Sequence, residues 1–196
     1  MKILAVSDLH LSASAAEALL SAAGGADLVL AAGDFANQHE ALAPYMARLA
    51  PIADKMICVP GNNESLEALQ DATRAEILHG TTTTRGGLII AGLGGGVPPL
   101  PPLPWHSWDL SEDEARDMLA PIEHADILML HSPPAGLGDN HDALGHLGSV
   151  ALKEAMLRLE PRLCVFGHIH DCWGQAGTLG ATEWRNLGPD PVWFDL

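Results

Sequence analysis

The stretch Met56-Ile57-Cys58-Val59-Pro60-Gly61-Asn62-Asn63-Glu64 runs from an apolar segment into a tight turn and then a helix start. Pro, Gly and Asn punctuate a backbone for local reasons, so on its own the stretch reads as strand, turn and helix. Its weight comes from company. Apolar runs at 2–6, 27–32, 125–130 and 162–166 end in the same abrupt way, at Asp8/His10, Asp34, His131 and His168/His170. Short, wholly apolar runs separated by helical segments predict parallel strands covered on both faces, an α/β architecture.

Working outward, helices are expected at 14–23, where Ser14-Ala15-Ala16-Glu17 has capping-box spacing, and at 38–49 behind Asn37 as N-cap. Leu66 and Leu69 mark a short third helix. A fourth is expected from Ser111 to Ala120, opened by Ser111-Glu112-Asp113-Glu114, and a fifth at 149–159 capped by Ser149. Between the third and fourth, the β-branched pieces at 76–78, 81–85 and 87–91 replace alternation with consecutive strands, so a second sheet is expected to begin there. The segment after His170 reads as antiparallel strands. The loop 92–108 holds five prolines and ends in Trp105, His106 and Trp108; it reads equally as a surface connection and as a lid.

The 196 residues suit one domain, 1–196, and 47% apolar residues supply a sizeable core. No apolar run approaches the roughly 20 residues of a membrane span. The N-terminal run turns polar at Ser7-Asp8, too soon for a signal peptide, so a cytoplasmic location is expected. Cys58, Cys164 and Cys172 are too few for a disulfide framework, and the first two read as core. A net charge of −15 argues against a nucleic-acid backbone as partner. It leaves a small phosphate substrate open, because bound cations reverse a local field.

In a wound α/β sheet the C-terminal strand ends face one crevice. Asp8, His10, Asp34, Asn62, His131, His168 and His170 would then converge on one rim, and the x-residue in Asp8-Leu9-His10 and His168-Ile169-His170 puts both partners on one side of an extended backbone. Three carboxylate or amide groups and four imidazoles suffice for two metal ions. Such a donor set suits Mn, Fe or Zn and does not choose among them.

The ordered series Asp8-Leu9-His10, Gly33-Asp34, Gly61-Asn62-Asn63-Glu64, His131 and Gly167-His168-Ile169-His170 resembles the calcineurin-like metallophosphoesterases. The resemblance spans nearly the whole chain. It implies a four-layer α-β-β-α sandwich of two mixed sheets flanked by helices, with a metal site at the strand C-terminal ends. It further implies one ion on Asp8, His10, Asp34 and His170, and a second on Asp34, Asn62, His131 and His168, with Asp34 bridging. The implied reaction is attack on a phosphoester by a metal-bridging hydroxide, without a covalent protein nucleophile.

The chain departs from the family's usual Gly-Asn-His-Asp/Glu at Asn63, where the histidine serves the leaving group. An amide donates a hydrogen bond but is no general acid near neutral pH. Asn63 also reads as the N-cap of the helix that follows. His106, His141 and His146 are loop histidines able to act as acids in its place. A phosphodiesterase acting on a small diester is the leading expectation, with a phosphomonoesterase, a non-catalytic scaffold and a nuclease as the competing ones.

Overall fold

A computed structural model describes residues 1–101 and 104–196. The first half alternates strand and helix: β1 (Lys2–Val6), α1 (Ala13–Ala23), β2 (Leu28–Ala31), α2 (Leu42–Leu49), β3 (Met56–Cys58), α3 (Leu66–Ala72) and β4 (Glu76–Ile77). The hairpin strands β5 (Thr81–Arg85) and β6 (Leu88–Leu93) follow, then α4 (Glu112–Leu119) and β7 (Ile127–Leu130). A small hairpin, β8 (Asn140–His141) and β9 (Gly145–His146), precedes α5 (Val150–Leu159) and β10 (Leu163–Phe166). The chain closes with β11 (Ala176–Leu179), β12 (Thr182–Asn186) and β13 (Val192–Asp195).

Two mixed sheets form, ordered β13-β1-β2-β3-β4 and β11-β12-β10-β7-β6-β5. They lie face to face with helices outside, the expected four-layer sandwich. The two-residue alternation of a strand explains the layers. Ile3 and Ala5 of β1 enter the core between the sheets with Ile57, Ile127 and Val165, while Leu4 and Val6 meet α1 and α2 on the outer face. On the other side Leu128, Cys164 and Phe166 pack under α4 and α5. Every residue of β1 but Lys2 is buried, so this strand is covered on both faces, whereas the edge strand β13 exposes Trp193 and Asp195.

Several sequence expectations are corrected. Ser12, not Ser14, caps α1, accepting from the Ala15 N–H at 3.2 Å. The helix expected at 38–49 begins only at Leu42, because Gln38, His39 and Ala41 adopt left-handed φ values in a turn, and Asn37 caps nothing. That turn is tied down elsewhere: Asn63 accepts from the Gln38 N–H through Oδ1 (2.8 Å) and from the His39 N–H through its carbonyl (2.9 Å). β4 still belongs to the first sheet, and the second begins with β5. Of the late strands, β11 pairs antiparallel with β12 and β13 antiparallel with β1 as expected, but β12 also runs parallel to β10. The Ser111 capping box and the Ser149 cap stand as expected.

Candidate metal centre

Five parallel strands, β1, β2 and β3 of one sheet and β7 and β10 of the other, end at one rim. The backbone there is unusual. Asp8, His10, Asp34 and His168 all have left-handed φ, between 41° and 71°. Such conformations cost of order 1–3 kcal/mol each and persist where the surroundings over-determine them. Tight approaches do so here: a Cβ on Gly61 would lie 2.0 Å from Asp34 Oδ1, and one on Gly167 2.3 Å from Asp8 Oδ2. Glycine is the residue both positions admit.

The side chains fall into two clusters that could each hold an ion, Asp8–His10–His170 and Asp34–His131–His168, with ligand atoms within 4.8 Å of one another in each. Asp34 joins them. Its Oδ2 lies 3.5 Å from His10 Nε2, and its Oδ1 lies 3.5 Å from His131 Nε2. Asn62 Oδ1 lies 3.2 Å from His131 Nε2, which brings the seventh donor into the second cluster. All seven sequence-predicted donors therefore meet at one rim. His106, His141 and His146 belong to neither cluster; His146 instead leans on Asp139 through Nδ1 at 2.7 Å.

The ring nitrogens are presented for coordination. Ala32 O accepts from His131 Nδ1–H (2.8 Å) and Ala36 O lies 3.2 Å from His10 Nδ1, so in both rings Nε2 turns inward with its lone pair. His10 Nε2 and His170 Nε2 face each other at 3.1 Å. His168 Nε2 is fully buried and has no hydrogen-bond partner among the described residues. A buried nitrogen without a partner, beside carboxylates and other imidazoles, fits a cation as its missing neighbour.

Electrostatics favour the coordinating state at His168, His170 and Asp34, whereas at His131 burial, which lowers the ring, is outweighed by the carboxylates of Asp34 and Asp8, which raise it. Burial, with the charge of His131, pushes His168 down to about 3, which keeps it neutral. Burial chiefly lowers His170 as well. Burial opposes ionisation of Asp34, but the neighbouring His131, His10 and His168 outweigh it and hold the carboxyl below its usual range.

The supporting residues were the less legible part. Asp8 Oδ2 accepts from Ser7 Oγ (2.6 Å) and from Trp173 Nε1 (3.1 Å), and the Trp173 ring lies 4.3 Å from that of His170. Glu64 is fully buried and accepts from the backbone N–H groups of Asp34 (2.8 Å), Gly61 (2.7 Å) and Ala36 (3.0 Å). It thereby locks two of the ligand turns together. Its only sequence signal was its place two residues behind Asn62.

Asn63 is not a helix cap; Ser65 caps α3, accepting from the Ala68 N–H at 3.2 Å. Asn63 donates instead from its backbone N–H to Asp34 Oδ1 (2.9 Å) and from Nδ2 to Asp34 Oδ2 (2.8 Å). The loop 92–108 is fastened to the same turn: Trp108 N–H donates to Asn62 O (3.0 Å), and Asn62 Nδ2 donates to Ser107 Oγ (2.8 Å). Its base thus adjoins the site, while its central residues 102–103 lie outside the described residues.

Comparisons with known proteins agree with this geometry. A UPF0046 protein of Caenorhabditis elegans is 35% identical over 81 residues, covering 36% of this chain and 20% of that protein. The chain thus spans about a fifth of the length of this curated relative. Among solved structures, TT1561 of Thermus thermophilus superposes with a TM-score of 0.74 at 20% identity, covering 95% of this chain and 88% of that one. The phosphopantetheinyl hydrolase PptH of Mycobacterium tuberculosis gives 0.60 at 15% identity, covering 96% and 90%. A novel archaeal phosphodiesterase gives 0.51 at 14% identity, covering 96% and 84%. These likenesses concern the fold. The model of the calcineurin-like phosphoesterase family matches residues 1–172, and the chain belongs to that family.

Proposed function

We propose that this chain is a phosphodiesterase that hydrolyses a small phosphodiester at a pair of divalent metal ions. The observation that carries the reading is Asp34, whose two carboxylate oxygens face different clusters. One ion would be held by Asp8, His10, His170 and Asp34, the other by Asn62, His131, His168 and Asp34. Mn, Fe and Zn all suit such nitrogen and oxygen donors. When bound, the pair supplies Lewis-acid polarisation of a phosphoryl oxygen and a lowered pKa for water between the ions.

The chain's own residues do the rest. Ser7, Trp173 and the His168 N–H fix the Asp8 carboxylate, and Glu64 fixes the turns that carry Asp34 and Asn62. Asn63 is spent on orienting Asp34, and an amide there has no proton to give to a departing alkoxide. General acid catalysis is worth about 10²–10⁴-fold, so the site suits esters whose leaving groups depart unaided. A small substrate fits the net charge of −15, which repels long nucleic acids.

The test is protein reconstituted with Mn²⁺ and assayed on bis-p-nitrophenyl phosphate and p-nitrophenyl phosphate. Metal-dependent turnover of the diester above that of the monoester is expected. Bound metal without turnover of either refutes the hydrolase reading, and a faster monoester makes the chain a phosphatase.

A further inference from the structure

Behind Trp173 the layer between the two sheets opens at its edge. A cleft of about 300 Å³ lies there, lined by Trp173, Arg185, Pro189, Asp190 and Val192 among others. Arg185 is in register with Val165 of β10, whose side chain is in the core between the sheets. Parallel neighbours in register point the same way, so Arg185 turns into that layer, and Val192 of β13 meets it from the other sheet.

Arg185 is an unspent cation. Among the described residues, Arg74, Arg85 and Arg116 pair with carboxylates, and Arg158 and Lys55 donate to backbone carbonyls. Among the described residues Arg185 makes no ion pair, although the chain carries −15 and Asp190 lines the same cleft, and its Nε is buried with no hydrogen-bond partner there. A guanidinium left unpaired in so acidic a chain, on a half-buried side chain, has the donor geometry to receive two oxygens of a phosphate or a carboxylate.

Trp173 links this cleft to the metal centre. Its indole N–H reaches Asp8, one ring face lies on His170, and a Cβ on Gly188 would sit 3.0 Å from Trp173 Cγ. The indole is thus held between the metal centre and the cleft, and the guanidinium is the charged donor on the cleft side.

We propose that the Arg185 cleft is a substrate subsite for a second anionic group, a phosphate or carboxylate carried within an indole's width of the scissile phosphodiester. This rests on the phosphodiesterase reading above and narrows its substrate class to diesters bearing an additional anion.

The test compares two esters differing by one phosphate: the p-nitrophenyl ester of thymidine 5′-phosphate, and the same ester phosphorylated at the 3′ oxygen. With Mn²⁺-loaded wild type, KM for the second should be about tenfold lower at similar kcat, the factor expected for one charge-assisted contact. Arg185→Met should erase that preference while leaving the first ester within about twofold, and Arg185→Lys should restore part of it. Equal losses on both esters, or no preference in wild type, overturn the proposal. Inactivity on both would refute the hydrolase reading alone. The subsite is therefore also read without turnover, by calorimetric titration of inorganic phosphate into chelator-treated protein. Heat in wild type that Arg185→Met abolishes supports it, and identical titrations overturn it.

Discussion

Replacing Trp173 by Phe separates two things the indole does. The ring that lies 4.3 Å from His170 and covers Gly188 is kept, while the N–H that donates to Asp8 Oδ2 at 3.1 Å is lost. Asp8 retains Ser7 Oγ at 2.6 Å and the His168 N–H at 3.1 Å, so its carboxylate stays in place but is less firmly aimed. A hydrogen bond to a charged group is worth about 1.5–3 kcal/mol. Trp173 is 38% exposed, so water replaces part of the lost bond, and the lower end applies. About 1.4 kcal/mol is a tenfold change in an equilibrium constant, at the low end of the roughly 10–100-fold found for outer partners of metal ligands. Competition titration with a chromogenic chelator should therefore show one of two Mn²⁺ ions bound about tenfold more weakly in Trp173→Phe, with the other unchanged. Trp173→Leu, which removes the wall as well, should weaken it further. Unchanged Mn²⁺ affinity in the Phe variant would refute the role given to the indole N–H.

The remaining predictions concern the same rim. Asp34→Asn should lower metal content and turnover more than Asp8→Asn, since it touches both clusters; elemental analysis and rates on bis-p-nitrophenyl phosphate compare them. Gly61→Ala, whose Cβ would meet Asp34 Oδ1 at 2.0 Å, should cost about 1–3 kcal/mol of stability as an overpacked site, read by thermal unfolding. Burial opposes ionisation of Asp139, yet the N–H groups of Gly136 and Gly148 and the His146 ring hold its carboxyl below the usual 3.8. Its stabilisation is then present above that value and lost as pH falls through the lower folded one, so Asp139→Asn should be destabilising at neutral pH and neutral in strong acid, by denaturant unfolding. Asn63→His should raise turnover most for esters with poor leaving groups; an equal gain across leaving groups would mean that position 63 does not serve departure.

The ligands were legible because each follows a strand, and strand ends are read from apolar runs that stop abruptly. Asp8, Asp34, His131 and His168 announce themselves in that way. What the sequence concealed was partnership at a distance. Glu64 looked like the first turn of a helix, and only folding shows its oxygens against the N–H groups of Asp34 and Ala36, some thirty residues away. Asn63 read as a cap or as a hydrogen-bond donor; in the fold Ser65 takes the capping place, and the tertiary contact with Asp34 gives Asn63 its use. The turn at 38–41 was missed for a related reason. Its residues have ordinary helix propensity, and the left-handed φ values come from tethers to Asn63 that no local pattern encodes. Which sheet the last strand joins had no local signal, since chain order and sheet order part where β13 returns antiparallel to the first strand of the chain.

The division of the donors between two sheets has a consequence for when this protein can first acquire metal. Asp8, His10, Asp34 and Asn62 are carried by one sheet and His131, His168 and His170 by the other, and the contact between Asp8 and the His168 N–H spans 160 residues. A nascent chain that has made only β1 to β4 carries two of the carboxylates, Asn62 and one imidazole of the set, and lacks His131, His168 and His170. On the two-ion reading proposed above, affinity would switch on late in synthesis, when β10 has docked, and the ions would act as rivets between two leaves already stacked. By mass action such ions would stabilise the juncture of the leaves above all, because each cluster draws its donors from both.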